Sequence, residues 1–401
     1  MRMKKLMILA TCAAIAAVAC TKIHEVTPVT QGPEIGLGTW TNTLTKAYTN
    51  TWANNDAFSV FATKTVGGTT SSVFEDTKVT YDGSKWGYTS LKYWDVTASN
   101  YTFYAFLPFN GSGETNGYLA AGTYALTGQF QTKSISFANP AGNDQDILVA
   151  TKYSRDKGAA ASLSTADVEL VFNHMTSLID VKAKMDASLS GLAADGQSVK
   201  VTVTDVKLAD IKNQGTFTVT GYNALDAATN PGKPTYTGDY GWTASGTTTD
   251  YVVFASTDPT PTPVVLTTAT TYTNGTANTG GGESLVANYI LMPQELIHST
   301  TTPSAVAGQK LVLSYTIEVW TTGETPTLVS SASYTNVSVD FYDFITTDRI
   351  DNVEQGTAIG GWNPGHHYTY TVTIGAKPIV FGSVSVNAWT NEDPGYYYLV
   401  K

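Results

Sequence analysis

SVKVTVTDVKL, residues 198–208, sets Val199, Val201 and Val203 on one face and Lys200, Thr202 and Thr204 on the other. Successive side chains of a strand leave a sheet on opposite sides, so this is a strand buried on one face and wetted on the other. The same period recurs outward from it. Residues 57–62 (AFSVFA) read as a strand. Residues 74–81 and 86–88 flank Asp82-Gly83, which predicts a hairpin with a glycine-containing turn. Residues 100–106 (NYTFYAF) are mostly apolar on both faces and fit a central strand, ended by Pro108 and Asn110-Gly111. Short strands are expected at 134–137 and 146–150. Residues 168–172 and 178–183 alternate, and 215–220 is expected to pair with 198–208. Later strands are expected at 251–255, 264–267, 288–292, 311–320, 368–374, 379–389 and 396–400. No segment carries a long 3.6-residue apolar period, and the densest helix candidate, 343–352, is weak. Strands separated by turn signals imply an all-β chain of sandwiches or barrels, not a parallel α/β sheet.

Residues 154–167 (SRDKGAAASLSTAD) carry charge, a run of alanines and no strand pattern, which places a domain boundary there. The expected layout is an N-terminal β-sandwich domain over 41–160 and a C-terminal one over 161–401. Residues 221–283 are rich in Gly, Thr, Asn and Pro and predict long surface loops, where binding variability is usually carried.

The N-terminus reads MRMKKLMILATCAAIAAVAC. Arg2, Lys4 and Lys5 precede an apolar stretch, 6–18, that falls short of the about 20 residues needed to span a bilayer, so 1–19 reads as a cleaved signal. Ala17-Val18-Ala19-Cys20 resembles the lipobox of bacterial lipoproteins. That resemblance implies a diacylglyceryl group on Cys20, a cut just before it and acylation of the new N-terminus. An ordinary signal cut near Ala17 or Ala19 is the other reading. The chain has two cysteines. Cys12 leaves with the signal and Cys20 would carry the lipid, so the mature protein would rely on its core and not on disulfides. Residues 20–40, with two prolines and several glycines, read as a tether. The formal net charge is −10, and losing Arg2, Lys4 and Lys5 makes it more negative still. An acidic chain with no basic stripe excludes nucleic acid as a partner.

Candidate chemistry is sparse. Of the five histidines, His24 lies in the tether, His174 ends an alternating run and His298 follows a strand. His366 and His367 are adjacent on an expected strand, point to opposite faces and cannot readily share a metal. Asp340, Asp343, Asp348 and Asp351 form the densest acidic patch, read first as a solvated turn or a local Arg349 pair, second as a cation site and last as a catalytic carboxylate set. It lacks the residue order of a calcium loop. No G-x-S-x-G, G-x-x-x-x-G-K-[ST] or H-E-x-x-H motif is present. No metal and no cofactor is expected, and the chain reads as noncatalytic. Most aromatic residues sit in alternating runs and read as core; Trp242, in the loop-rich stretch, is the better exposed candidate.

Several fragments together resemble the fimbrillin family of Bacteroidales lipoproteins: 144–150 (DQDILVA), 168–174 (VELVFNH), 288–294 (NYILMPQ), 362–370 (WNPGHHYTY) and the closing strand 384–389. The resemblance implies two tandem transthyretin-like Greek-key β-sandwich domains and delivery to the outer membrane as a lipoprotein. It implies residence at the cell surface or in a fimbrium. It further implies proteolytic removal of the first N-terminal strand by an arginine-specific protease, and filling of the opened groove by a C-terminal strand of a neighbour. The candidate donor lies in 376–401, with Val384, Val386 and Ala388 and then Tyr396, Tyr398 and Val400 as alternating side chains. The partners implied are other fimbrial subunits or further copies head-to-tail, host or bacterial surface glycans or proteins, and the membrane through the lipid. Arg2, Arg155 and Arg349 are the only arginines, so no arginine lies between Cys20 and the first expected strands. This departure does not fit an arginine-specific cut at that place. The alternative function is a monomeric, lipid-anchored glycan-binding surface protein.

Overall fold

The computed structural model describes residues 31–39, 54–107, 109, 132–136, 148–156, 167–170, 172–174, 176–219, 240–258, 263–267, 283–299, 307–346, 360–375 and 380–388. Among these, strands dominate. The helical segments are two short 3₁₀ turns, Ala187–Leu192 and Phe341–Asp343.

The apolar faces sort into two cores. The first is built on a six-stranded antiparallel sheet in the order Phe172–His174, Leu148–Asp156, Asn100–Leu107, Ala57–Val66, Thr69–Tyr81 and Trp86–Gly87. Asn100–Leu107 is interior, and every residue from Tyr101 to Leu107 is buried, as a strand apolar on both faces requires. The Asp82-Gly83 hairpin forms as expected. Gly83 takes φ 96°, and the Asp82 carboxylate accepts from the backbone N–H groups of Ser84 and Lys85, both at 2.9 Å. Aromatic rings fill this core: Trp94 lies 4.7 Å from Tyr101 and Phe58 lies 5.3 Å from Phe172, centroid to centroid.

The second core lies between two sheets. One runs Glu283–Leu291, Ser177–Met185, His366–Ile374, Val380–Ala388 and Ile345–Thr346. The other runs Tyr240–Phe254, Gln197–Val219, Lys310–Thr321 and Leu328–Asp340. Val264–Thr267 and Thr132–Ser136 also pair with the long strand Gln197–Val219. Val199, Val201 and Val203 are fully buried in this core, with Val181, Tyr370 and Val372 of the opposite sheet in the same cluster. Lys200, Thr202 and Thr204 are half-buried on the other face, and the Lys200 ammonium reaches Glu318 at 3.2 Å.

Four expectations change. Residues 215–219 do not fold back onto 198–208; both belong to one strand, Gln197–Val219, and Thr220 lies outside the described residues. The intervening ADIKNQ has neither Gly nor Pro to turn the chain. It bulges instead: Asp210 takes φ 60°, the register slips, and the Asp210 N–H donates to the Asp250 carboxylate at 3.1 Å. Residues 240–250, expected as loop, are strand, and Trp242 lies opposite Phe217 in that ladder. Leu328–Asp340 was not anticipated at all. It is an edge strand exposed on both faces over much of its length, so it shows no alternation. Finally, Val168, Leu170 and Phe172 pack in the first core and Ile179 in the second. The change of core therefore falls later than the 160/161 boundary expected from composition.

One glycine is fixed by close approach. A Cβ on Gly308 would run into the Ile297 carbonyl oxygen and come within 3.2 Å of the Ser299 nitrogen, all of it backbone that cannot swing aside. Gly308→Ala is therefore expected to lower stability by about 1–3 kcal/mol in urea unfolding. Gly191→Ala, which meets nothing within 4 Å, is expected to leave the midpoint unchanged. Equal midpoints for the two variants would contradict the packing described.

Candidate functional site

Residues 31–39 (QGPEIGLGT), expected as tether, are the strongest candidate for a functional element. They form two short strands. Gln31–Glu34 pairs antiparallel with Tyr93–Asp95, and Leu37–Thr39 pairs parallel with Val168–Leu170. The link between them is also tied down. Ile35 N–H donates to the Lys92 carbonyl at 2.9 Å, Val168 N–H donates to the Gly36 carbonyl at 2.8 Å, and the Tyr88 hydroxyl donates to the Ile35 carbonyl at 2.7 Å. Burial pushes the Tyr88 phenol up to about 12, so it stays a proton donor. Gly36 admits the Asp167 carboxyl where a Cβ would stand.

Two side chains carry the packing. Ile35 is 0% exposed and Leu37 is 3% exposed, and both belong to the first core beside Trp94, Val168, Leu170 and Phe172. The segment thus bridges two strand edges and closes an apolar groove with alternate residues. Ile35-Gly36-Leu37-Gly38 is itself an alternation, apolar against glycine. That signal was available in the sequence and was masked by the turn-forming reputation of glycine.

At the other end of the chain, Val380–Ala388 sits between His366–Ile374 and Ile345–Thr346. Val384 is fully buried in the second core and lies opposite Tyr370; Val386 lies opposite Tyr368 and Ala388 opposite His366. These three candidate donor positions occupy a strand of the chain's own sheet. Tyr396, Tyr398, Val400 and Cys20 lie outside the described residues, as do Asp348 and Asp351.

The WNPGHHYTY stretch proves to be a packing device. Trp362 is 2% exposed, with its ring 5.3 Å from Phe341, and its indole N–H donates to the Tyr370 hydroxyl at 2.7 Å. Asn363 N–H donates to the Tyr368 hydroxyl at 2.7 Å, and Gly365 turns the chain with φ 68°. Burial drives the Tyr370 phenol well above its usual range. His366 and His367 do face apart: the His366 ring meets the Pro364 carbonyl at 2.8 Å, while His367 is buried 3.0 Å from the Asp180 carboxylate.

A family model described as fimbrillin-like matches residues 45–389. The chain belongs to the fimbrillin-like family. A crystal structure of a fimbrial protein from Bacteroides vulgatus ATCC 8482 superposes with a TM-score of 0.53 at 16% identity, covering 89% of this chain and 99% of that one. It supports the all-β sandwich fold. Fimbrium subunit Fim1C of Phocaeicola vulgatus is 25% identical over 230 residues. That alignment spans 52% of this chain and 57% of the relative. The fimbrillin-like match takes in each of the internal motifs, from 144–150 to 384–389. It begins beyond the buried 31–39 segment and ends before Tyr396.

Proposed function

We propose that this fimbrillin-like chain is a noncatalytic fimbrial subunit or surface adhesin, delivered as a lipoprotein through Cys20 and assembled by strand donation. The observation that carries this reading is the seating of Ile35 and Leu37 in a groove between two strand edges. Residues 31–39 act as a placeholder strand. Once they leave, the edges of Tyr93–Asp95 and Val168–Leu170 offer main-chain hydrogen bonds and the groove offers apolar pockets to a strand from a neighbour. A groove at one end and a donor at the other make a head-to-tail contact that does not close, so it extends as a filament.

The donor in this reading is the tail beyond Ala388. Withdrawing Val380–Ala388 would open the second core at Val384, whereas Tyr396, Tyr398 and Val400 stand at every second position, as Ile35 and Leu37 do. Lys46 is the one basic residue between Thr39 and Asn54 and is the natural place for a trypsin-like or lysine-specific cut. The missing arginine supports a second reading, in which this member stays uncut and lipidated as an anchor or a tip.

The test is made in the native host. A chain truncated after Trp389 is expected to reach the membrane but to lose SDS-resistant multimers, and Cys20→Ser is expected to lose membrane retention. Multimers that persist without the tail would refute the donor assignment. Membrane retention of Cys20→Ser would refute lipid delivery.

A further inference from the structure

Away from the groove, three side chains converge that no part of the assembly reading uses. His298 comes from the segment after Gln294–Glu295, Asp340 ends the edge strand Leu328–Asp340, and Asp343 lies in the 3₁₀ turn that follows. One ligand atom from each lies within 4.8 Å of the other two. His298 Nδ1 is 2.9 Å from Asp343 Oδ1 and 3.9 Å from Asp340 Oδ2. The donors are mixed, one imidazole nitrogen and two carboxylate oxygens.

Charge and burial make the arrangement unusual. The Asp340 side chain is only 9% exposed, against 29% for Asp343 and 57% for His298. A carboxylate taken out of water beside a second carboxylate is unfavourable unless a cation stands with them. Among the described residues neither aspartate has a Lys or Arg partner. Lys310 lies opposite Asp340 in the ladder, but its ammonium approaches Asp210, at 3.9 Å. An imidazole supplies at most one positive charge against two negative ones. A divalent ion held by a neutral imidazole balances both.

The three ligands are also held in place by the fold. Ser299 N–H donates to Asp340 Oδ2 at 2.7 Å, and Gly308 N–H donates to the Ser299 hydroxyl at 3.0 Å. Ile297 N–H donates to the Gln309 side chain at 3.0 Å, and Phe341 N–H donates to the Gln309 carbonyl at 2.8 Å. Ser299, next to His298, thus bonds Asp340 directly, and Gln309 bonds both the loop bearing His298, at Ile297, and the turn bearing Asp343, at Phe341. Supporting bonds of this kind fix first ligands and sustain affinity.

We infer that His298, Asp340 and Asp343 bind a divalent transition metal ion of the zinc class, with one or more coordination positions left toward solvent. The nitrogen donor selects against calcium and magnesium, which take oxygen ligands, and in favour of zinc, which takes imidazole and carboxylate together. The partly exposed His298 and Asp343 leave the outer side of the site open.

The experiment uses the full mature chain carrying Cys20→Ser, stripped with EDTA and titrated with zinc chloride by calorimetry, with metal content measured after dialysis. One zinc per chain is expected, together with a zinc-dependent rise in melting temperature. His298→Ala and Asp343→Asn, both at partly exposed positions, are each expected to weaken binding at least about tenfold and to abolish the zinc-dependent rise while keeping the metal-free melting temperature. His366→Ala is expected to bind as the parent does. Absent stoichiometric uptake, uptake that survives in both variants, or tighter binding of calcium than of zinc would each overturn the assignment.

Discussion

Cutting the chain between Thr39 and Asn54 is expected to convert monomers into SDS-resistant head-to-tail multimers. The physical driver is the groove left by Ile35 and Leu37. Each fully buried aliphatic side chain contributes about 1.5–3 kcal/mol, and two short strand edges lose their partners with it. While the segment is covalently attached, no tail can compete, because rebinding is intramolecular. Once it is cut it dilutes away, and a tail offering Tyr396, Tyr398 and Val400 brings three large side chains to the groove where Ile35 and Leu37 brought two. A specific protease site placed at 43–49 makes the event controllable. Unboiled gels should show a ladder only after cleavage. A chain also lacking 390–401 should stay monomeric and bind a hydrophobic dye instead. A ladder from the tail-less chain, or a cut chain that stays monomeric with its tail intact, would contradict this mechanism.

Trp362→Ala is expected to cost about 3–5 kcal/mol. The indole is almost wholly buried, packs against Phe341 and donates to Tyr370. Its removal leaves a cavity in the second core and strands a buried hydroxyl. Tyr370→Phe removes only the acceptor and should cost roughly 1–3 kcal/mol, the penalty of an unpaired buried donor. Urea unfolding with both variants separates packing from hydrogen bonding. A Trp362→Ala loss below about 1 kcal/mol, the level of an ordinary substitution, would mean the WNPG turn does not anchor this core.

How much of this was legible in the sequence depends on which force shaped each element. Val199, Val201 and Val203 declared their strand because burial on one face imposes a period of two. Residues 100–106 declared a central strand because both faces are buried. Asp82-Gly83 declared its turn because the constraint is local. Leu328–Asp340 did neither; an edge strand with little buried area is held by its ladder to Lys310–Thr321, and a ladder leaves no mark on side-chain order. Residues 240–250 were hidden for the same reason, since Ser, Thr and Gly paired to a long neighbour look like loop. At the site, the Ile35-Gly36-Leu37-Gly38 alternation was visible in principle, but its pairing with Val168 across the whole first core was not. His298 could not be joined to Asp340 and Asp343 before the fold brought three separate elements together.

The most direct test is the intact mass of the protein extracted from its native membrane, with its N-terminus identified. Strand donation after removal of the placeholder predicts a free N-terminus between Trp40 and Ala53 in the assembled fraction, with multimers beside it on unboiled gels. An acylated Cys20 as the sole N-terminus, with residues 31–39 retained in every copy, would contradict it.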